Sequence, residues 1–187
     1  MMNQQQRLKL IESQLRSYDT GTVEHINEQW IFFDEETEEA ALLEQFSNQE
    51  IEILRKNSWR RGDLLDGGSV KCGKEVFKLE DGEMIRVRKQ LVYSLERLLA
   101  ELKDEAFLYF INTLNSLHFS IHDCIYCYNH LTFLDPGQGA AGVNFLIFDN
   151  EESICSIQHH FNYGDMQNDR FEFTLSSGKR TVIEKIS

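Results

Sequence analysis

Between His118 and His130 the chain reads HFSIHDCIYCYNH, with three histidines, an aspartate and a Cys-x-x-Cys pair in thirteen positions. These residue types do three kinds of chemistry. Two cysteines supply half of a tetrahedral zinc site, which needs two further donors within bonding distance. The same pair exchanges thiol and disulfide when it follows a strand and opens a helix. A cysteine beside a histidine makes a nucleophile and its base. Cys124, Cys127 and His130 are the residues on which a metal or thiol site would rest.

Geometry limits each possibility. The spacing predicts a helix from Ser120 to about Phe133, because Ser120 with Asp123 reads as a capping box and Asp135-Pro136-Gly137 as a stop. At about 100° per residue, Leu117, Ile121, Cys124, Tyr128 and Leu131 share a face, with Cys127 at its edge. Buried cysteine packs as a small hydrophobe, so the preferred reading is a packed helix. Asp123, Cys127 and His130 fall within about 60° on that helix, the closest approach to a ligand set. Cys72 is a further sulfur donor. Cys155 and His159, four apart on one strand, are separated by about 13 Å and cannot share an ion. His118 and His122 enclose Phe-Ser-Ile and lack the acid of a zinc protease. In the redox reading the cysteines follow the first helical turn, and no Lys or Arg lies near in sequence to stabilise a thiolate.

Other motifs reduce to ordinary structure. GQGAAG at 137–142 runs from a predicted helix into a strand, the reverse of a dinucleotide loop, and no lysine follows it before Lys179. Arg61-Gly62-Asp63 reads as a turn. The NYGDMQND loop offers Asp165, Asn168 and Asp169 but lacks calcium-loop spacing, so it too reads as a turn. His159 on an apolar strand face reads as a hydrogen-bonded core residue, and His160 faces the other way. No G-x-S-x-G, H-E-x-x-H or P-loop occurs, which leaves no basis for naming a reaction.

The elements that position these residues follow from periodicity. Leu8, Ile11, Leu15 and Tyr18 predict a first helix over about 4–17. Residues 21–90 read as about six short strands, with tight turns at Asn27-Glu28, at Asp66-Gly67-Gly68 and at Asp81-Gly82. The last of these predicts a two-residue hairpin within EVFKLEDGEMIRVRKQ. EEAALL reads as one of these strands or, alternatively, as a helix. A stripe from Leu91 to Leu117 predicts one amphipathic helix. Residues 143–186 read as an antiparallel meander whose apolar face carries Cys155, Ile157, His159, Phe161, Phe171, Phe173 and Leu175.

The chain is therefore expected to be α+β in two closely packed parts. Residues 1–90 hold a helix and a small SH3-like β-barrel, and 91–187 a helical hairpin on an antiparallel sheet. Among 187 residues, 41% are hydrophobic and 27% charged, which suits a globular core. A single proline leaves no flexible linker. The longest apolar run, AFLYFI, is far short of the roughly 20 residues of a membrane span. The first residues lack an apolar signal region, so the expected location is the cytoplasm, with reduced cysteines.

The net charge of −12 disfavours nucleic acid and anionic membrane as partners. Charge is also segregated. Residues 17–54 contain no Lys or Arg, nor do 104–169, whereas 55–89 carries ten cations against six acids. Arg60, Arg61, Arg86, Arg88 and Lys89, with Trp59 adjacent, are the candidates for contact with an anion or nucleic acid. The bland reading of these blocks is strands that neutralise each other. With no catalytic constellation and no motif calling for a cofactor, the chain reads as a non-enzymatic interaction or regulatory protein with a protein partner. RNA or DNA binding through 55–89 is the alternative, and a thiol or metal activity at Cys124 and Cys127 the third. Oligomeric state is not legible.

In layout, TGTVEHINEQWIFFDEETEEA and HHFNYGDMQNDRFEF are the stretches that carry a likeness. The chain resembles small uncharacterised proteins of Bacillus-type bacteria grouped as a domain of unknown function. That resemblance implies no activity.

Overall fold

The computed structural model describes residues 2–47, 49–134, 139–164 and 167–186. Among these the chain is α+β, with three α-helices and two antiparallel sheets. It divides into two units: Ser17–Lys89, and Met1–Arg16 together with Gln90–Ser187. The Asp135–Gly137 stop, part of the glycine-rich loop and Asp165 lie outside the described residues.

The Ser17–Lys89 unit is all strand: β1 (Tyr18–Ile26), β2 (Gln29–Asp34), β3 (Ala40–Leu42), β4 (Ile51–Arg55), β5 (Ser58–Leu65), β6 (Ser69–Cys72), β7 (Glu75–Lys78) and β8 (Glu83–Arg88). They form one sheet in the order β3-β2-β1-β8-β4-β5-β6-β7. Among the described residues β3 and β7 are not paired, so the sheet is open and not the closed barrel expected. With no α-helix among the unit's described residues, the sheet must cover its apolar side by curling on itself. One cluster accordingly gathers Val23, Phe32, Ile51, Ile53, Val70 and Ile85 from five strands. Gly62 permits the close packing of β5 on β6, since a Cβ there would strike Val70 and Cys72. The RGD tripeptide is therefore mid-strand and not a turn. EEAALL contributes β3 and enters a 3-10 turn at Leu43–Phe46.

The turn at Asn27-Glu28 has both residues at positive φ, as a tight hairpin requires. Asp81-Gly82 does not join a hairpin. Leu79 is drawn into the core, Gly82 N–H donates to Val23 O, and the Asp81 carboxylate accepts from His25 N–H at 2.6 Å. These contacts dock the turn on β1, so β8 pairs with β1 and β4 instead of β7.

In the other unit, α1 (Gln4–Glu12) is followed, after the inserted strands, by α2 (Tyr93–Glu101) and α3 (Asp104–Ser116). A five-stranded sheet completes it: β9 (Cys124–Tyr128), β10 (Ala141–Asp149), β11 (Ile154–Tyr163), β12 (Gln167–Leu175) and β13 (Arg180–Ile186), in the order β13-β12-β11-β10-β9. The four strands of the meander match the alternation read from sequence. Helices α2 and α3 cover their apolar face, with Phe110 against Phe148, Phe171 and Phe173.

Two expectations change here. The single helix over 92–117 is broken at Leu102 and Lys103, both extended. Arg7 of α1 holds the break. Its guanidinium donates to Leu99 O at 2.9 Å and Leu102 O at 2.8 Å, capping the end of α2. It also pairs with Asp104 at the start of α3 and lies 4.8 Å from the centre of the Phe107 ring. For the same reason α1, grouped with the strands from sequence, packs through Leu10 and Ile11 in the helical unit. The second change is the Ser120–Phe133 helix. Its capping box exists, but on a 3-10 turn at Ile121–Asp123 that leads into β9. Arg16 binds Asp123 in two bonds, and the aromatic, β-branched run that follows favours a strand. A second 3-10 turn spans His130–Phe133.

Replacing Arg7 by Ala removes a charged donor from two helix-end carbonyls. The expected loss is about 2–3 kcal/mol in urea unfolding. The Arg7 hydrogen bond, aided by Met2 N–H, holds the Asp104 carboxyl below the usual carboxylate range. A lowered folded-state pKa stabilises above the unfolded pKa and loses that effect as pH falls through the folded value. Acid unfolding curves of Asp104→Asn are expected to be flatter than wild type over roughly pH 5 to 2.

Candidate functional site on the outer face of the C-terminal sheet

The five basic candidates of the first unit all face carboxylates. Arg60 pairs with Glu75, Arg61 and Arg88 with Glu50, Arg86 with Glu52, and Lys89 with Asp19 at 3.2 Å. Arg86 lies 4.2 Å from the centre of the Tyr18 ring and 4.5 Å from that of Trp59. Tyr18 is held near Glu50 and Glu52, and burial pushes its hydroxyl up to about 12. Apart from Arg60, whose partner Glu75 lies on β7 within the basic segment itself, the acidic and basic segments thus neutralise each other across neighbouring strands. A phosphate would have to displace a carboxylate already in place.

The cysteine and histidine candidates are dispersed. Cys127 points into the core, and Cys124 packs at the edge of the same cluster. Burial pushes the Cys124 thiol up to about 12 and the Cys127 and Cys155 thiols up to about 11, the reverse of an activated nucleophile. Asp123, Cys127 and His130, which a helix would bring within about 60° of each other, fall instead in a 3-10 turn, in β9 and at the start of the next 3-10 turn. His118 follows α3 at positive φ, and His122 Nε2 lies 3.1 Å from Ile11 O. Among the described residues no group of three or more His, Cys, Asp or Glu is placed to hold a metal.

His159 is the buried histidine that the strand alternation indicated, and its partners could not be read from sequence. Asn144 Oδ1 accepts from the backbone N–H of His130 at 2.7 Å, which turns its amide nitrogen toward His159 Nδ1 at 3.1 Å. Nδ1 is therefore the acceptor, and Nε2–H donates to Asp169 Oδ1 at 2.8 Å. The Tyr163 hydroxyl donates to the same oxygen at 2.7 Å. Burial and the Asp169 carboxylate raise the Tyr163 pKa. Asn168 and Asp169, read as part of a turn, are in β12. A His–Asp pair that reaches the edge of a cleft lined by Tyr109, Phe171 and Glu184 invites a catalytic reading. The geometry opposes it, because the lone pair a base would use already accepts from Asn144. The relay is a satisfied core network. Gly142 serves the same region, since a Cβ there would strike His130.

What remains uncovered is the opposite side of this sheet. Register places Tyr128, Phe145, Gln158, Glu172 and Val182 in one row across it, and Tyr126, Ile147, Ser156, Thr174 and Arg180 in the next. The face grades from aromatic at β9 and β10, through polar at β11, to ionic at β12 and β13. In the ionic half Glu172 is clasped by Arg170 and Arg180, and the Arg180 hydrogen bond lowers its pKa. In the aromatic half Tyr126 is 53%, Phe145 45% and Phe133 71% exposed, and Phe133 stacks on Tyr128. Sequence reasoning missed these residues because it placed Tyr126 and Tyr128 on a helix. Their signal is the period-two pattern of Tyr126-Cys127-Tyr128, together with the lack of any Asp, Glu, Lys or Arg at 124–134 and 139–148.

Among the described residues the architecture is thus an α+β chain whose candidate cysteines and His159 are packed into the core, whose five basic candidates face carboxylates, and which leaves one aromatic half-sheet exposed. Comparison with known sequences places it: residues 5–185 match the profile of a protein family of unknown function, DUF2777, and the chain belongs to that family. It is 35% identical over 179 residues to the uncharacterized protein YisN of Bacillus subtilis (strain 168), covering 95% of this chain and 90% of that one. No solved structure matches. No helix among the described residues is long and apolar enough to cross a membrane.

Two measurements check this account. Cys124, Cys127 and Cys155 are expected to react with a disulfide reagent at pH 8 only after denaturation. Rapid native-state labelling of any of them would contradict their raised pKa values and burial. His159→Leu leaves Asp169 and Asn144 short of a partner in the core, and about 2–4 kcal/mol of stability is expected to be lost in urea unfolding.

Proposed function

We propose that the protein is a non-enzymatic cytoplasmic interaction or regulatory protein whose recognition surface is the aromatic half of the C-terminal sheet. The partner is a protein with an apolar patch. The observation that carries this reading is the exposure of Tyr126, Tyr128, Phe133 and Phe145 together. Aromatic side chains are enriched at interface centres because they remove much area from water while losing few rotamers. Single-stranded nucleic acid also stacks on aromatics, but it requires a cationic groove. The 104–169 segment, which supplies β9, β10 and β11, has no Lys or Arg. The first unit serves as a scaffold in this reading. Its short strands, tight turns and single coiled core support an SH3-like description in the sense of a curled sheet without closure.

The test is comparative capture. Wild-type protein and Tyr126→Lys, each checked for native circular dichroism, are used as baits in lysate of the source cell and the recovered proteins quantified. A protein retained by wild type and lost with Tyr126→Lys is the expected result. Identical recoveries from both baits would refute the surface.

A further inference from the structure

We infer that a small cavity in the Ser17–Lys89 unit is a receptor for one organic cation, a guanidinium or ammonium group on a hydrocarbon stem. An arginine or lysine side chain of a partner protein carries that group, and so does a free alkylguanidine or alkylamine. The inference is independent of the aromatic half-sheet, which belongs to the other unit.

The cavity is a product of the curl. It holds about 170 Å³ between the turn joining β1 to β2, the end of β3 with the 3-10 turn after it, and the turn joining β5 to β6. Strands β2 and β3 lie toward one end of the sheet order, β5 and β6 toward the other, and they meet because the sheet folds over its own core. Trp30 of β2 forms a wall and is fixed in place. Its indole lies so close to Gly68 that a Cβ there would strike Nε1, and Gly68 is at φ +72°, where a side chain is strained in any case. The His25 ring packs on Trp30 with centroids 5.1 Å apart. The Gly68 turn is anchored in its own right, since Leu79 N–H donates to Gly68 O at 2.8 Å. Leu42, Leu43 and Leu64 supply the remaining apolar lining. A wall held this way is already in place before a ligand arrives, which lowers the ordering cost of binding.

Charge selects what enters. Glu28, Glu44 and Asp66 line the cavity and are exposed, and none of its described lining residues is Lys or Arg. Among the described residues none of these three carboxylates is engaged in an ion pair, whereas Glu50, Glu52, Glu75 and Glu83 of the same unit each meet an arginine. An anionic ligand is repelled by this lining, and a neutral apolar one makes no use of the carboxylates. A metal ion needs several donors converging at bonding distance, and among the described residues no three Asp, Glu, His or Cys are placed to hold one. Carboxylates set apart around leucine and tryptophan suit a longer cation, its stem against the apolar lining and its charge between the carboxylates and the indole. Size sets the scale. The volume is well below the roughly 300–1,000 Å³ of sites that enclose a drug-sized ligand, so one basic side chain or one small amine fills it.

The experiment is a titration of the nitrogen-15-labelled full chain, followed through its amide and indole N–H resonances. Of the two tryptophan indole signals, that of Trp30 is identified by its loss in Trp30→Phe. The probes are agmatine, a capped glycine peptide with one central arginine, and the same peptide with citrulline, which keeps the shape and removes the charge. The combined variant Glu28→Gln, Glu44→Gln and Asp66→Asn is titrated in parallel after a check of its circular dichroism; if it does not fold, Asp66→Asn alone carries the comparison. The expected result is a saturable shift of the Trp30 indole and the Gly68 amide with a cationic probe. Binding should weaken about tenfold or more in the combined variant, as three partly solvated charge contacts imply. It should also weaken as salt rises and be absent with the citrulline peptide. Binding of the arginine peptide upholds the inference with a protein side chain as the source, and binding of agmatine alone upholds it with a free small cation. No saturable shift with either cationic probe, equal binding of the citrulline peptide, or affinity unchanged by removal of the carboxylates overturns it.

Discussion

Arg7 holds the second unit together across the longest interruption in its chain. A single guanidinium closes the carbonyl end of α2, pairs with the first residue of α3 and lies against Phe107. Seventy-three residues of strand are inserted between α1 and the helices it binds, so this bond network is non-local in sequence although local in space. The break it holds at Leu102 and Lys103 gives α2 and α3 separate orientations, and both then lie on one face of the five-stranded sheet. A continuous helix over that length would project beyond the sheet or leave part of its apolar stripe in water.

Covering one face of a sheet necessarily distinguishes it from the other. The inner side receives Phe110, Phe148, Phe171 and Phe173, together with a polar relay that is tolerated because its groups are paired. His159, Asp169 and Asn144 resemble catalytic equipment by residue type. Their hydrogen-bond directions make them architecture, since each acceptor described already has a donor. The outer side keeps its aromatic residues exposed at β9 and β10 and its ion pairs at β12 and β13.

The first unit shows the same economy with charge. Its acidic and basic segments, so separate in the sequence, become adjacent strands, and Glu52 of β4 with Glu50 just before it meets Arg86 and Arg88 of β8. Tyr18 and Trp59 flank the Arg86 guanidinium and restrict its access to water. A basic stretch in a sequence therefore need not be a basic surface. The pairing of strands decides which charges remain available.

By itself the sequence determined the α+β class, the four-stranded meander, the tight turn at Asn27-Glu28 and the burial of His159. Those properties are written in short-range signals: period-two alternation and turn residues needing positive φ. Only the tertiary structure decided that Ser120–Phe133 is turn, strand and turn. Its Leu117, Ile121, Cys124 and Tyr128 fit a helical stripe, while its aromatic and β-branched residues fit a strand, and pairing with β10 resolves the ambiguity. Only the tertiary structure removed β8 from the expected hairpin, since the Leu79 burial and the Asp81 contact with β1 join residues more than fifty positions apart. The candidate surface was hidden for the same reason. Its residues come from β9, the turn after it and β10, and which side of them meets water depends on where α2 and α3 lie, a choice made by Arg7 and the core rather than by any local run of residues.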